Sequence, residues 1–80
     1  MPELFHAIDD EGSAVARRFV VTHDLTDRVR FRNVTYPEVQ ADLAARGGSR
    51  TPALWDGARL VEGEEAVVEA LRKLVVGTTL

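Results

Sequence analysis

Few side chains in this 80-residue sequence could carry out chemistry, and the strongest constraint is a missing one. The chain has no cysteine. It therefore has no thiolate nucleophile, no disulfide, no iron–sulfur ligation and no thiolate metal site. Two histidines, His6 and His23, lack the spacing of a zinc motif, and each reads as structural or solvated. The Asp9-Asp10-Glu11 run places three acids in succession. A calcium loop alternates its oxygen ligands, so this run reads as a solvated turn, and no metal site is expected. Ser13 follows Gly12 where a helix N-cap would stand. Glu64 and Glu65 open a later helix, where acids favour the positive end of the dipole.

The elements that must position these groups follow from hydrophobic periodicity. Leu4-Phe5-His6-Ala7-Ile8 is a short, mostly apolar run ending at the Asp9–Gly12 cluster, which predicts a buried first strand and a loop. From Ser13 to about Leu25 the pattern predicts a helix. Val15, Phe19 and Thr22 form its stripe, with Ala16 and Val20 beside them. The β-branched and aromatic run Phe19-Val20-Val21-Thr22 has strand propensity and competes with that reading. Val29 to Val34 alternates as a second strand. Pro37 suits the first turn of a helix carrying Val39, Leu43 and Ala44, and Gly47-Gly48 ends it. Ala53-Leu54-Trp55 and Arg59-Leu60-Val61 flank Asp56-Gly57-Ala58, a strong hairpin signal. Trp55, on a strand before a tight turn, is expected in the core rather than as a binding platform. Glu64–Val75 is the clearest helix, with Val67, Ala70, Leu71 and Leu74 on one face. Gly77 stops it, leaving a frayed tail.

The predicted order is β-α-β-α-β-β-α: an α/β domain with one four-stranded mixed sheet flanked by three helices. Residues 1–76 make one domain and 77–80 a tail. A parallel connection between the first two strands needs a crossover, and only the 13–25 segment can supply it.

Charge and hydropathy narrow the partners. The net charge is −3, from ten basic and thirteen acidic residues, so there is no field for polyanions and no nucleic-acid partner is expected. Arg28, Arg30, Arg32, Arg46 and Arg50 make the middle mildly basic, which reads as a solvated face. No apolar run approaches the ~20 residues that span a bilayer, so no membrane association is expected. Met1-Pro2-Glu3-Leu4 lacks the basic start and apolar core of a signal peptide, and a cytoplasmic location is the expectation.

This order, and the words within it, resemble a glutaredoxin or the N-terminal domain of a glutathione transferase, both thioredoxin-like folds. The resemblance rests on Leu4-Phe5-His6-Ala7, on Gly47-Gly48-Ser49-Arg50-Thr51-Pro52-Ala53-Leu54-Trp55-Asp56-Gly57, and on Leu60-Val61-Glu62-Gly63-Glu64-Glu65-Ala66-Val67. The middle stretch is the most specific, because the family carries a cis-proline in a Thr/Val-Pro-x-Leu run before an Asp-Gly turn. The resemblance thus implies a cis Thr51-Pro52 bond. It also aligns Asp10-Glu11-Gly12-Ser13 with the Cys-x-x-Cys motif, so that Asp10 replaces the nucleophile and Ser13 the resolving cysteine. A carboxylate can use the helix-start field that normally stabilises the thiolate.

Three site readings come with the resemblance, each beside a plainer alternative. The backbone of Thr51, ahead of Pro52, would pair with a bound peptide or glutathione; otherwise the proline only shapes a strand entry. Gly63, Glu64 and Glu65 would face the γ-glutamyl end of glutathione, Glu65 taking the amine while Glu64 repels the carboxylate; otherwise they only start a helix. Ser13 would stabilise the glutathione thiolate, as in some transferases; otherwise it is an N-cap. The leading expectation is a non-catalytic domain that binds a peptide or small ligand near Thr51-Pro52, needs no cofactor and cannot act as a thiol–disulfide oxidoreductase. A glutathione-binding, transferase-like enzyme using Ser13 and a structural subunit without a ligand site are the alternatives.

Overall fold

The computed structural model describes residues 1–77. It is an α/β fold with three helices and a four-stranded mixed sheet, in the order β1 (Glu3–His6), α1 (Glu11–Thr22), β2 (Arg30–Asn33), α2 (Pro37–Ala45), β3 (Ala53–Trp55), β4 (Leu60–Glu62) and α3 (Glu64–Gly77). The sheet order is β2-β1-β3-β4, with β1 parallel to β2 and antiparallel to β3, and β3 antiparallel to β4. Of the predicted tail 77–80, Gly77 belongs to α3, and Thr78–Leu80 lie outside the described residues.

Side-chain alternation along β1 divides the core in two. Leu4 faces α1 and α3, packing with Ala16, Val20, Leu25, Val29, Leu54, Val67 and Leu71. Phe5 faces the other way, onto Val39 and Leu43 of α2 and Ala53 of β3. One β1 residue thus anchors each helical layer, as the period-2 geometry of a strand requires.

Two helix ends correct the predicted boundaries. α1 begins at Glu11 with Asp10 as its N-cap, so Ser13 is the third residue of the first turn and not the cap. The aspartate wins because its carboxylate, one turn earlier, accepts from the Gly12 N–H and faces the positive end of the helix. The same helix stops at Thr22 rather than near Leu25. Asp24 takes a left-handed conformation (φ 59°), its N–H bonds to Val21 O at 3.2 Å, and Leu25 N–H reaches back to Val20 O at 2.8 Å. Leu25 and Val20 then share the core, which completes a Schellman-type end. The buried stripe of α1 is Ser13, Ala16 and Val20, one residue off the predicted Val15–Phe19–Thr22 line. Phe19 packs at its edge, and Thr22 is exposed. α2 closes in the same manner: Gly47 (φ 85°) donates to Ala44 O and Gly48 to Leu43 O.

β1 ends at His6, so Ile8 is exposed instead of buried. β4 begins at Leu60, one residue later than predicted, because Asp56 accepts from the N–H groups of Ala58 and Arg59 and holds Arg59 in the turn. Ala44 is exposed, leaving Val39 and Leu43 as the buried face of α2. Trp55 is half-buried against the second core, with the Arg46 guanidinium 5.0 Å from its ring centroid.

Beneath α2, Arg32 pairs with Glu3 and Asp42, while Arg46 Nη1 lies 2.9 Å from Glu3 Oε1. Burial pushes the Glu3 carboxyl up, but the two guanidinium groups outweigh it and hold it below its ordinary value. Glu3, Arg32, Asp42 and Arg46 thus hold α2 on the sheet, so Arg32 and Arg46 are ion-paired and largely buried rather than part of the expected solvated face.

Candidate functional site

The site is built where three chain segments meet. β1 delivers the chain to Ala7, α1 starts at Asp10, and the segment entering β3 carries Thr51 and Pro52. The Thr51-Pro52 peptide bond is cis. Pro52 is buried, and its carbonyl accepts from Gly63 N–H at 2.9 Å, which ties this segment to the start of α3.

Asp10 is the centre of the polar contacts. Its Oδ2 accepts from Ser13 Oγ at 2.8 Å and from Thr51 Oγ1 at 3.0 Å, and its Oδ1 accepts from Gly12 N–H at 3.3 Å. The Ser13 hydroxyl bond, with those of Thr51 and the Gly12 amide, outweighs burial and holds the Asp10 carboxyl below its ordinary value. The group is a fixed anion at the start of α1.

Ser13 is completely buried. Its hydroxyl donates to Asp10, and its oxygen accepts from Ala7 N–H at 3.0 Å. With its single proton placed and its oxygen occupied, it offers no donor to a ligand. Ala7 is held from its other side as well: its carbonyl accepts from Arg17 Nη1 at 2.9 Å.

Gly12 brings the two helix starts together. A Cβ added there would lie 3.1 Å from Pro52 Cδ and 3.4 Å from Glu64 Cβ, so the absent side chain is what lets α1 approach Pro52 and α3. The acids of the two first turns, Glu11 on α1 and Glu64 and Glu65 on α3, are exposed around this junction. Arg50 stands at the rim. Its guanidinium donates to Glu62 O at 3.2 Å, while Glu62 Oε2 accepts from the N–H groups of Ser49 and Arg50, both at 2.8 Å. Those two amide bonds hold the Glu62 carboxyl below its ordinary value.

Two depressions meet at Arg50. One is lined by Val34, Leu43, Gly48 and Thr51, the other by Glu62, Gly63, Glu64 and Glu65. All seven candidate residues, Asp10, Ser13, Thr51, Pro52, Gly63, Glu64 and Glu65, therefore belong to one end of the sheet. A separate cleft lined by Pro2, Leu54, Val61 and Leu74 lies at the other end and contains none of them.

The backbone of Thr51 makes no hydrogen bond with any described residue, as is also true of the backbone of Ile8 and Asp9 in the loop before α1. The Thr51 side chain, by contrast, is tied to Asp10, and the next carbonyl, Pro52 O, is used. Among the described residues no group of three or more histidines and acids converges as a metal site, and no helix is long and apolar enough to cross a membrane.

Sequence reasoning missed Gly12, Ala7 and Arg17. Gly12 carried a signal, since glycine in a first helical turn is disfavoured unless a close approach requires it. Arg17 carried none, because its partners are 10 and 11 residues away on another element. No protein-family model and no curated protein matches the chain.

Proposed function

We propose that this chain is a glutaredoxin-type, thioredoxin-like domain that has given up redox chemistry for binding. Its docking point is the backbone of Thr51, and its ligand is a short extended peptide of basic character. The element order, the sheet order β2-β1-β3-β4 and the cis bond ahead of β3 support the family reading.

A single observation carries the binding reading: the Thr51 N–H and C=O are unpaired between the bonded amides of Ser49 and Arg50 and the bonded carbonyl of Pro52. Buried backbone polar groups in folded chains are nearly always paired, and Thr51 is half-buried. An extended ligand can satisfy both by pairing like an added strand. The Asp10–Thr51 side-chain bond fixes the presentation of that backbone. Ionised Asp10 and the exposed acids Glu11, Glu64 and Glu65 surround it, and Arg50 is the one nearby cation lining both depressions. This balance favours Lys or Arg side chains and opposes the carboxylates of glutathione. The saturated hydroxyl of Ser13 also weighs against the transferase-like alternative.

Titration with an acetylated peptide of alternating Val and Lys, its Val/Glu counterpart and glutathione, followed by amide NMR, tests the reading. The Val/Lys peptide is expected to bind and shift Thr51, more tightly than the Val/Glu peptide and less tightly at high salt. Preference for glutathione, with shifts at Gly63 and Glu64, would support the transferase-like reading instead. Silence toward all three would leave a structural subunit.

A further inference from the structure

Among the described residues, His6 is the one buried titratable side chain that the proposed docking does not use. It sits at the end of β1 with only 7% of its surface exposed. Its Nδ1 lies 3.1 Å from Arg17 Nη1. A guanidinium only donates, so Nδ1 must be the acceptor, which fixes the imidazole as neutral with its proton on Nε2. The same Arg17 nitrogen donates to Ala7 O at 2.9 Å.

From there an unbroken series of contacts leads to the candidate site. Ala7 N–H bonds to Ser13 Oγ, Ser13 to Asp10 Oδ2, and Thr51 Oγ1 to that same oxygen. We propose that the His6–Arg17 pair is a proton-sensitive latch on the Asp10–Thr51 site, closed when His6 is neutral and released when it takes up a proton. Protonation removes the acceptor at Nδ1 and sets two cations side by side, so Arg17 must leave. Ala7 O then loses its donor, and the 7–10 segment that aims Asp10 at Thr51 loses its brace.

The surroundings of His6 make it a sensor rather than a bystander. Burial, and after it the positive charge of Arg17, hold the imidazole below its ordinary range. Arg17, from α1, is the charged group acting on it. From β2 it meets the edge of the Phe31 ring, with centroids 5.4 Å apart, and its register partner Asn33, neither of which titrates here. On the segment that follows β1, Asp10 is the nearest acid in the series, and it stays ionised throughout the range in which an imidazole takes up its proton. The latch bears on the proposed docking point, but its test needs no ligand.

The test is an NMR titration of the free chain from neutral to mildly acidic pH, following the His6 ring nitrogens and the amides of Ala7, Ser13 and Thr51. All three amides are expected to shift with the His6 midpoint. Those shifts should vanish in His6→Gln, and in Arg17→Gln the His6 ring midpoint should move up because the repelling charge is gone, while the Thr51 amide stops following it. The Arg17 variant keeps the proposal testable if His6→Gln does not fold. A flat Thr51 amide across the His6 transition, or a midpoint unchanged in Arg17→Gln, would overturn the latch. Peptide docking at Thr51 with no His6-linked shift would sink the latch alone, whereas linked shifts without docking would sink the docking alone.

Discussion

Thr51 Oγ1 donates a 3.0 Å hydrogen bond to Asp10 Oδ2 across 41 positions of sequence. This bond joins the loop before α1 to the segment entering β3. It also means that Asp10 serves two purposes, as the cap of α1 and as the anchor of the Thr51 side chain.

Replacing Asp10 by alanine removes the cap and leaves the Ser13 and Thr51 hydroxyls without their acceptor. The expected loss is about 2 kcal/mol of folding stability, measured by urea unfolding. Asp10→Asn keeps an acceptor and should lose less.

Thr51→Val keeps the shape of the side chain and removes only its hydroxyl. We expect a cost of about 1 kcal/mol and an upward shift of the Asp10 carboxyl, read by carbon NMR. Because Thr51 N–H and C=O are untouched, a peptide docked on them should remain bound.

Acid should weaken the fold in a defined window. The Asp10, Asp56 and Glu62 carboxyls are all held below their ordinary values by hydrogen bonds. Below its ordinary pKa each group gains a proton more readily in the unfolded chain. The stability it contributes is therefore full above that value and is lost as pH falls through the lower folded one. His6 acts in the same direction at higher pH, since its folded value is also depressed and the unfolded chain protonates first. Midpoints of urea unfolding should thus fall in two stages between neutral and strongly acidic pH. In His6→Gln the first stage should shrink.

The unmodified chain should catalyse no thiol–disulfide exchange, because exchange needs a thiolate and the only sulfur is the Met1 thioether. Asp10→Cys should place a thiol in reach of the Gly12 amide and the start of α1, lowering its pKa. Its alkylation by iodoacetamide at mildly acidic pH is expected to outpace that of Arg28→Cys on the exposed loop. Equal rates would show that this helix start does not stabilise an anion.

The order of all seven elements was legible in the sequence because each carries its own period or stop signal. Asp56-Gly57 marks the hairpin, and Val67 and Leu71 mark the buried face of α3. Boundaries were harder where two residues compete for one role. Asp10 and Ser13 are both good caps, and only the fold shows that Ser13 is needed by Ala7 and buried beneath Asp10. The apolar pattern runs on to Leu25, yet Leu25 packs with Val20 from beyond the helix end. Of the site, Asp10, Thr51 and Pro52 were visible through the resemblance. Their mutual contact, and the brace from His6 and Arg17, are long-range pairings that leave no trace in local spacing.

Amide hydrogen exchange at Thr51 tests the central claim most directly. In the free chain its N–H has no partner among the described residues and should exchange quickly. With a saturating Val/Lys peptide that one amide should become protected, in the wild type and in Thr51→Val alike. Exchange at position 51 that is already slow in the free chain, or that stays fast while the peptide is bound elsewhere, would contradict docking on the Thr51 backbone.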